Sequence, residues 1–136
     1  SIMKTERITI SISKEKTEEF FFNALCNAVG TGYIRSSGIE LDWNEQEYKD
    51  AKKSLVEQKK NTCLEDVWME MLRKGCKLKI HDFENEEYNR EIILNDVHEK
   101  MSKVPIHHLT DMIEENDDAA TADAIIQTVF FGEIIF

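Results

Sequence analysis

The sequence predicts an α+β fold in which about five helices pack on a small, mostly antiparallel sheet, in a single domain over residues 1–136. Residues 7–13 and 76–83 alternate apolar and polar positions with a period of two, which is typical of half-buried strands. Apolar residues recur at helical spacing elsewhere, most regularly over residues 64–72. The length matches one ordinary domain, and we find no repeat or linker.

The first helix is predicted over residues 14–29, directly after the first strand. Ser13 supplies an N-cap, and Gly30 and Gly32 end the helix. Its apolar residues cover more than one narrow stripe. We therefore expect a sheet on one side of this helix and another helix on the other.

The middle of the chain predicts a short strand and two helices. The strand lies at residues 39–41, and Asn44 caps a polar helix that runs to about residue 60. Thr62 begins a capping-box pattern before the amphipathic helix over residues 64–72, and Gly75 ends that helix.

The following segment predicts a β-hairpin, with residues 76–83 as one arm and 91–94 as the other. Leu78 and Ile80 share the buried face of the first arm. The connection carries four acids without the loop glycine of a calcium site, so we interpret it as a charged turn rather than a cation site. These acids are Asp82, Glu84, Glu86 and Glu87.

The last part of the chain predicts three further helices. Residues 96–103 and 106–115 form two short helices separated by Pro105. Their predicted inner faces consist of Val97, Met101, Leu109, Met112 and Ile113. Asn116 or Asp117 caps a final helix that runs to about residue 130, and Gly132 ends it. The apolar residues 134–136 then either add a strand to the sheet or lie in a subunit interface.

The charge distribution excludes some classes of function. The net charge is −10, and residues 80–136 hold 14 acidic and 3 basic residues, while residues 49–79 hold 9 basic and 5 acidic ones. This balance argues against direct nucleic-acid binding. It fits a solubilising surface or an acidic face for a basic partner.

Three widely spaced cysteines, without a C-x-x-C pair or a secretory leader, predict free thiols in a reducing cytoplasm. No apolar run predicts a membrane contact, and no motif predicts a cofactor.

One pattern could bind a metal ion. His107, His108 and Asp111 form H-H-x-x-D on a predicted helix, where His98 or Glu115 could complete a ligand set. No second pair of ligands at metal-binding spacing accompanies them. We therefore favour a solvated helix face over a metal site.

Two other groups of residues are candidates for ligand binding. Tyr33 and Arg35 follow the first helix on a loop, where an aromatic ring and a guanidinium are plausible binding groups. A local basic region could bind a phosphorylated ligand, although surface charges balanced by nearby acids are the favoured interpretation. This region consists of Lys52, Lys53, Lys59, Lys60, Arg73, Lys74, Lys77 and Lys79.

The C-terminal residues 118–136, DAATADAIIQTVFFGEIIF, resemble the ending of a group of small uncharacterised bacteriophage and prophage proteins. The pattern in that group is D-A-x-x-A-D-x-x-x-Q-x-x-x-F-G-E-I/V, and it matches here at Asp123, Gln127, Gly132 and Glu133. The resemblance implies a phage-type accessory protein in a bacterial cytoplasm and implies no activity. Asp123 and Gln127 share one helix face, where they either cap a neighbouring loop or bind a partner.

These observations favour a non-enzymatic, acidic binding protein that acts on a host protein, with an anti-defence role or a nucleic-acid-mimicking role for residues 80–136. We expect it to form a homodimer through its apolar C-terminal residues. One alternative is an oligomeric protein that sequesters a small phosphorylated, nucleotide-like ligand. A second alternative is a metal-dependent hydrolase that uses His107, His108 and Asp111.

Overall fold

The computed structural model describes residues 12–31, 39–82, 84–116 and 118–135. These residues form the predicted α+β fold with six α-helices rather than about five, and each of the six corresponds to one of the helical segments predicted above. The helices are α1 (Lys14–Thr31), α2 (Glu45–Glu57), α3 (Leu64–Arg73), α4 (Leu94–Lys100), α5 (Ile106–Ile113) and α6 (Ala119–Phe131). Two short 3-10 turns lie at Glu86–Tyr88 and Met101–Lys103. No helix in these ranges is long and apolar enough to cross a membrane.

The described strands form one antiparallel sheet in the order β1-β2-β3. The small, mostly antiparallel sheet that the sequence predicts is therefore present. The strands are β1 (Ile39–Asp42), β2 (Leu78–Asp82) and β3 (Arg90–Ile92). Leu41 pairs with Ile80, and Leu78 pairs with Ile92. The α2–α3 pair is inserted between β1 and β2, so the sheet joins residues that lie far apart in the sequence. The predicted strand over 7–13 lies outside the described residues up to position 11, and positions 12 and 13 form no strand.

Helices α1 and α6 form the centre of the core. Phe21 and Leu25 of α1 and Ile125 and Val129 of α6 are fully buried. Among the described residues, the principal neighbours of α1 are three helices, namely α6, α3 and α4, rather than the expected sheet. Both central helices carry buried alanines, which permit a close approach of their axes.

The α2–α3 pair is held together by apolar packing and by one buried carboxylate. Ala51 of α2 is buried in the same core cluster as α3. Glu70 of α3 is 8 % exposed, and its carboxylate accepts hydrogen bonds from Ser54 (3.1 Å) and Gln58 (3.2 Å) of α2. These bonds satisfy a charge that would otherwise be costly to bury.

Of the two helix starts predicted in this region, one is confirmed and the other is wrong. Asn44 caps α2 as predicted, since its side chain accepts from the Glu47 amide at 3.0 Å. The predicted capping box at Thr62 is wrong, because the N-cap of α3 is Cys63 and makes no side-chain hydrogen bond. Acids in the first turn of α3 supply favourable charge at its N-terminus instead.

Helices α4 and α5 lie beside α6 and are separated by Pro105, as predicted. Val97, Met101, Leu109 and Met112 are buried, but Ile113 is 66 % exposed, so its assignment to the inner face is wrong. Helix α5 ends at this residue and the chain turns away toward α6. The N-cap of α6 is Asp118, not Asn116 or Asp117, and its carboxylate accepts from the Thr121 amide at 3.0 Å.

Candidate functional site

A cavity of about 510 Å³ opens between α1, α3 and the segment that follows α2. We call it the α1–α3 groove. Its volume lies within the range of ligand-binding clefts, roughly 300–1,000 Å³. The groove is lined by Glu15, Glu18, Glu19, Phe22, Leu55, Lys60, Asn61, Asp66, Met69 and Arg73.

The groove lies between one face of α1 and one face of α3, and these two helices run antiparallel. Arg73 contacts Glu18 near one end of the pair, while Glu65 lies beside the Cys26 thiol near the other. The lining residues of α1 follow i, i+3, i+4, i+7 spacing from Glu15 to Phe22, which is one face of a helix. Those of α3 are spaced by three and four residues from Asp66 to Arg73. Two helix faces therefore form the walls.

The groove combines an apolar floor with an acidic rim. Leu55 and Met69 are buried in the core, and Phe22 packs against it. Four carboxylates and only two basic side chains, those of Lys60 and Arg73, line the same cavity. A cleft with an excess of one charge sign and low-dielectric walls concentrates ligands of the opposite sign.

Two of the four rim carboxylates are already paired with bases of the chain. Glu19 pairs with Lys16 at 3.1 Å, and Glu18 pairs with Arg73 at 3.0 Å. Glu15 and Asp66 make no ion pair with any other described residue. Of the four rim carboxylates, Glu15 and Asp66 are therefore the two that a cationic ligand can contact without displacing a basic side chain of the described residues.

Glu18 is the most connected acid of the groove. One carboxylate oxygen accepts from Arg73 Nε at 3.0 Å, and the other lies 3.1 Å from His98 Nε2, which belongs to α4. Partial burial raises the pKa of Glu18, but the hydrogen bonds from His98 and Arg73 outweigh it and hold the pKa below its ordinary value of 4.5. Glu18 thereby cross-links three helices, α1, α3 and α4.

Two of the cysteines, Cys26 and Cys76, are poorly suited to nucleophilic chemistry. All three cysteines are free. Burial, reinforced by Glu65, raises the pKa of Cys26 to about 12. Burial and the neighbouring Glu47 also raise the pKa of Cys76. A thiol with a raised pKa stays protonated at neutral pH and is a weak nucleophile.

The three predicted metal candidates do not form a ligand set. The rings of His107 and His108 stack with their centroids 4.0 Å apart, and His108 Nδ1 lies 3.3 Å from the Thr121 hydroxyl at the start of α6. Burial and the neighbouring His107 lower the pKa of His108. Among the residues that the structure describes, no three His, Cys, Asp or Glu side chains converge on a possible metal position.

Asp123 and Gln127 lie in a local arrangement that we call the C-terminal clamp, made of Asp123, Gln127, Gly132 and Ile135. The Gln127 amide group donates to Asp123 at 2.6 Å, and its oxygen accepts from the Ile135 amide at 2.9 Å. Gly132 has φ +83° and ends α6 in the left-handed conformation that glycine tolerates best. The chain therefore turns back toward its own helix.

The hydrogen bond between Gln127 and Ile135 fixes where the apolar C-terminal residues lie. The alternative that residues 134 and 135 add a strand to the sheet is wrong, because they form no strand in the structure. Ile134 is 41 % exposed, while Ile135 is half-buried. Burial raises the pKa of Asp123, although the Gln127 hydrogen bond opposes this.

The remaining candidate binding residues either line the groove or lie outside the residues that the structure describes. Of the predicted basic region, Lys60 and Arg73 line the groove. Tyr33 and Arg35 lie outside the described residues. The sequence analysis missed the groove acids Glu15, Glu18 and Glu19. Their signal is their spacing with Phe22, because residues 15, 18, 19 and 22 lie on one face of a helix.

Comparison with known proteins finds no family model, no curated protein and no solved structure that matches this chain. The resemblance of residues 118–136 to phage proteins therefore stays a prediction. The functional interpretation rests on the geometry of the groove.

Proposed function

We propose that this protein is a non-enzymatic binding protein whose α1–α3 groove receives a basic, amphipathic segment of another protein. The observation that carries the proposal is the excess of carboxylates around an apolar floor. A partner that places lysine or arginine beside a large apolar side chain matches both features. Its apolar group would be buried on Phe22, the apolar lining residue that is only partly buried, and its charge would lie near the acids of the first two turns of α1.

The spacing within α1 limits how such a partner is built. Glu18 and Phe22 are one helical turn apart, which corresponds to about 6 Å along the axis. Basic and apolar side chains at i and i+4 of a partner helix have the same separation. An amphipathic helix laid into a groove is a common mode of recognition between proteins.

The alternative of a small phosphorylated ligand is less well supported. Lys60 and Arg73 line the groove and could contact a phosphate. Four carboxylates line the same cavity and would repel it, and Arg73 is already paired with Glu18. A nucleotide therefore fits this groove less well than a basic segment does.

The proposal includes a reducing compartment such as a bacterial cytoplasm. It is supported by the free state of Cys26, Cys63 and Cys76. It also retains the predicted homodimer through the C-terminal residues, supported by the exposed side chain of Ile134. Sedimentation of the wild type against Ile134→Ser tests the dimer. We expect the variant to sediment as a monomer, and a wild-type monomer contradicts the expectation.

The binding proposal is tested with a synthetic amphipathic peptide that carries arginines on one helical face and leucines on the adjoining one. We expect a triple variant, Glu15→Gln with Glu19→Gln and Asp66→Asn, to weaken binding roughly tenfold or more at low salt, because rim charges attract the peptide. The matched control is Glu84→Gln with Glu86→Gln and Glu87→Gln. It removes the same charge from the exposed β2–β3 connection and should change binding little.

Fluorescence anisotropy titrations give the dissociation constants, and thermal unfolding confirms that both triple variants are folded. A wild-type chain that does not bind the peptide contradicts the proposal. Equal weakening by the groove variant and the control also contradicts it, because net charge alone would then explain the binding. Tighter binding of ATP than of the peptide, lost in Lys60→Gln, would favour the phosphorylated-ligand alternative.

A further inference from the structure

Arg73 is a cation of the chain itself that already contacts the acidic rim. Arg73 donates to Glu18 through Nε at 3.0 Å inside the groove lining. We propose that Arg73 is an internal competitor that occupies the place of a partner arginine, and that Glu18 is the carboxylate that anchors this partner residue. This inference rests on the proposed function and names the side chain that the partner supplies.

The exposures identify which member of the pair moves. The side chain of Arg73 is 48 % exposed, whereas those of Glu18 and His98 are 19 % and 14 % exposed. His98 holds one oxygen of Glu18 while Arg73 holds the other. Glu18 therefore stays fixed between α1 and α4 when Arg73 swings outward, and the oxygen that Arg73 releases faces the groove.

The internal pair is weak enough to exchange. An ion pair that water reaches contributes little stability, because solvent screens the attraction and the long side chain loses freedom. A partner arginine in the same position also has Glu15 and Glu19 on the adjoining positions of α1. Arginine suits this position better than lysine, because its guanidinium holds several N–H donors in a fixed plane, and Arg73 now uses one of them, Nε, on the Glu18 carboxylate.

The test compares Arg73→Gln with Lys74→Gln. Lys74 is the next residue, is exposed, and does not line the groove, so its substitution removes the same charge without vacating Glu18. We expect Arg73→Gln to bind the arginine peptide roughly two- to fivefold tighter than the wild type, which is the range that an exposed ion pair allows. Lys74→Gln should leave the affinity for the arginine peptide unchanged.

The dependence on Glu18 is tested in a double-variant comparison. The gain from Arg73→Gln should disappear when Glu18 is already Gln, since the anchor is then missing. A peptide with lysine in place of every arginine should bind less tightly to Arg73→Gln than the arginine peptide does. Thermal unfolding checks that each variant remains folded.

The outcomes separate this inference from the proposed function. Weaker or unchanged binding by Arg73→Gln overturns the inference, as does a gain that persists beside Glu18→Gln or is matched by Lys74→Gln. Equal affinity for the lysine peptide overturns the assignment of arginine. In all these cases the proposed function survives if the rim variant still loses binding. A wild-type chain that binds neither peptide overturns both.

Discussion

The α1–α3 groove and the C-terminal clamp are both built around carboxylates, but they use them in opposite ways. In the clamp, Asp123, Gln127 and Ile135 are joined by hydrogen bonds that span four and eight residues of sequence. In the groove, Glu18 is joined to partners 55 and 80 residues away, and two further acids lack an ion pair among the described residues. The clamp closes on itself, whereas the groove remains open to a ligand.

This difference explains why a sequence pattern pointed to the clamp and not to the groove. The D-x-x-x-Q spacing and the following glycine are a local signature, since they fix a helix end and the turn after it. The groove has no such signature, because it exists only once α1 and α3 are packed side by side. Polar residues that satisfy one another serve the fold, while unneutralised ones beside an apolar floor suit a partner.

The largest effect is expected in the clamp, from Gln127→Ala. Gln127 is 4 % exposed and makes two of the clamp's hydrogen bonds. Its loss leaves the partly buried Asp123 and the Ile135 amide without these contacts, so we expect the free energy of unfolding to fall by about 1–3 kcal/mol. Chemical denaturation measures the loss. Binding of the arginine peptide should be unchanged, and a loss of binding would contradict the division between the two regions.

A smaller effect is expected in the groove, from Glu18→Gln. The variant loses charge-assisted hydrogen bonds to Arg73 and His98, but solvent screens the Arg73 pair, so we expect a loss of about 1 kcal/mol at neutral pH. The pKa of Glu18 is held below 4.5 in the folded chain. Its stabilisation is therefore present above pH 4.5 and is lost as the pH falls through the lowered value. Denaturation curves of both chains should converge in acid, and a gap that widens in acid would contradict this.

A modest gain is expected just after the end of α2, from Lys59→Gly. Lys59 follows α2 with φ +58°, a conformation that costs an ordinary residue roughly 1 kcal/mol or more. Glycine adopts it freely but loses more entropy on folding, so we expect a net stabilisation of about 0.5 kcal/mol. Thermal unfolding measures it. Lys53→Gly, inside α2, is the matched control and should destabilise the chain instead.

The smallest effect concerns the start of α6. Burial and His107 lower the pKa of His108 below its ordinary value of 6.5, against the opposing pull of the Asp111, Asp118 and Asp123 carboxylates. The unfolded chain therefore binds this proton more tightly, and the stability that His108 contributes is lost as the pH falls below 6.5.

The difference in unfolding free energy between the wild type and His108→Gln isolates the contribution of His108. We expect the wild type to lose stability relative to the variant between pH 7 and about 5.5, which spans the ordinary histidine range. A difference that stays constant over this interval would show that His108 titrates normally.

The sequence was sufficient for features that depend on neighbouring residues. The β2–β3 hairpin, the Asn44 cap, the break at Pro105 and the end of α6 at Gly132 were all predicted and are present. Each follows from a short-range rule of pairing, capping or backbone freedom.

The errors concern competition between neighbours and contacts over long distances. Asp118 caps α6 because its carboxylate reaches the Thr121 amide, although Asn116 and Asp117 carry the same type of side chain. Ile113 matched a helical stripe but lies where α5 ends and the chain turns away. The groove depends on the antiparallel packing of α1 and α3, which no pattern within either helix specifies.

The most direct test of the central claim is to map where the arginine peptide binds on the folded chain. Amide chemical shifts in NMR spectra, recorded with and without the peptide, report this position by residue. The account predicts perturbations concentrated over residues 15–22 and 60–73, with residues 119–135 unaffected. Perturbations concentrated at the C-terminal clamp or on the acidic β2–β3 connection would contradict it.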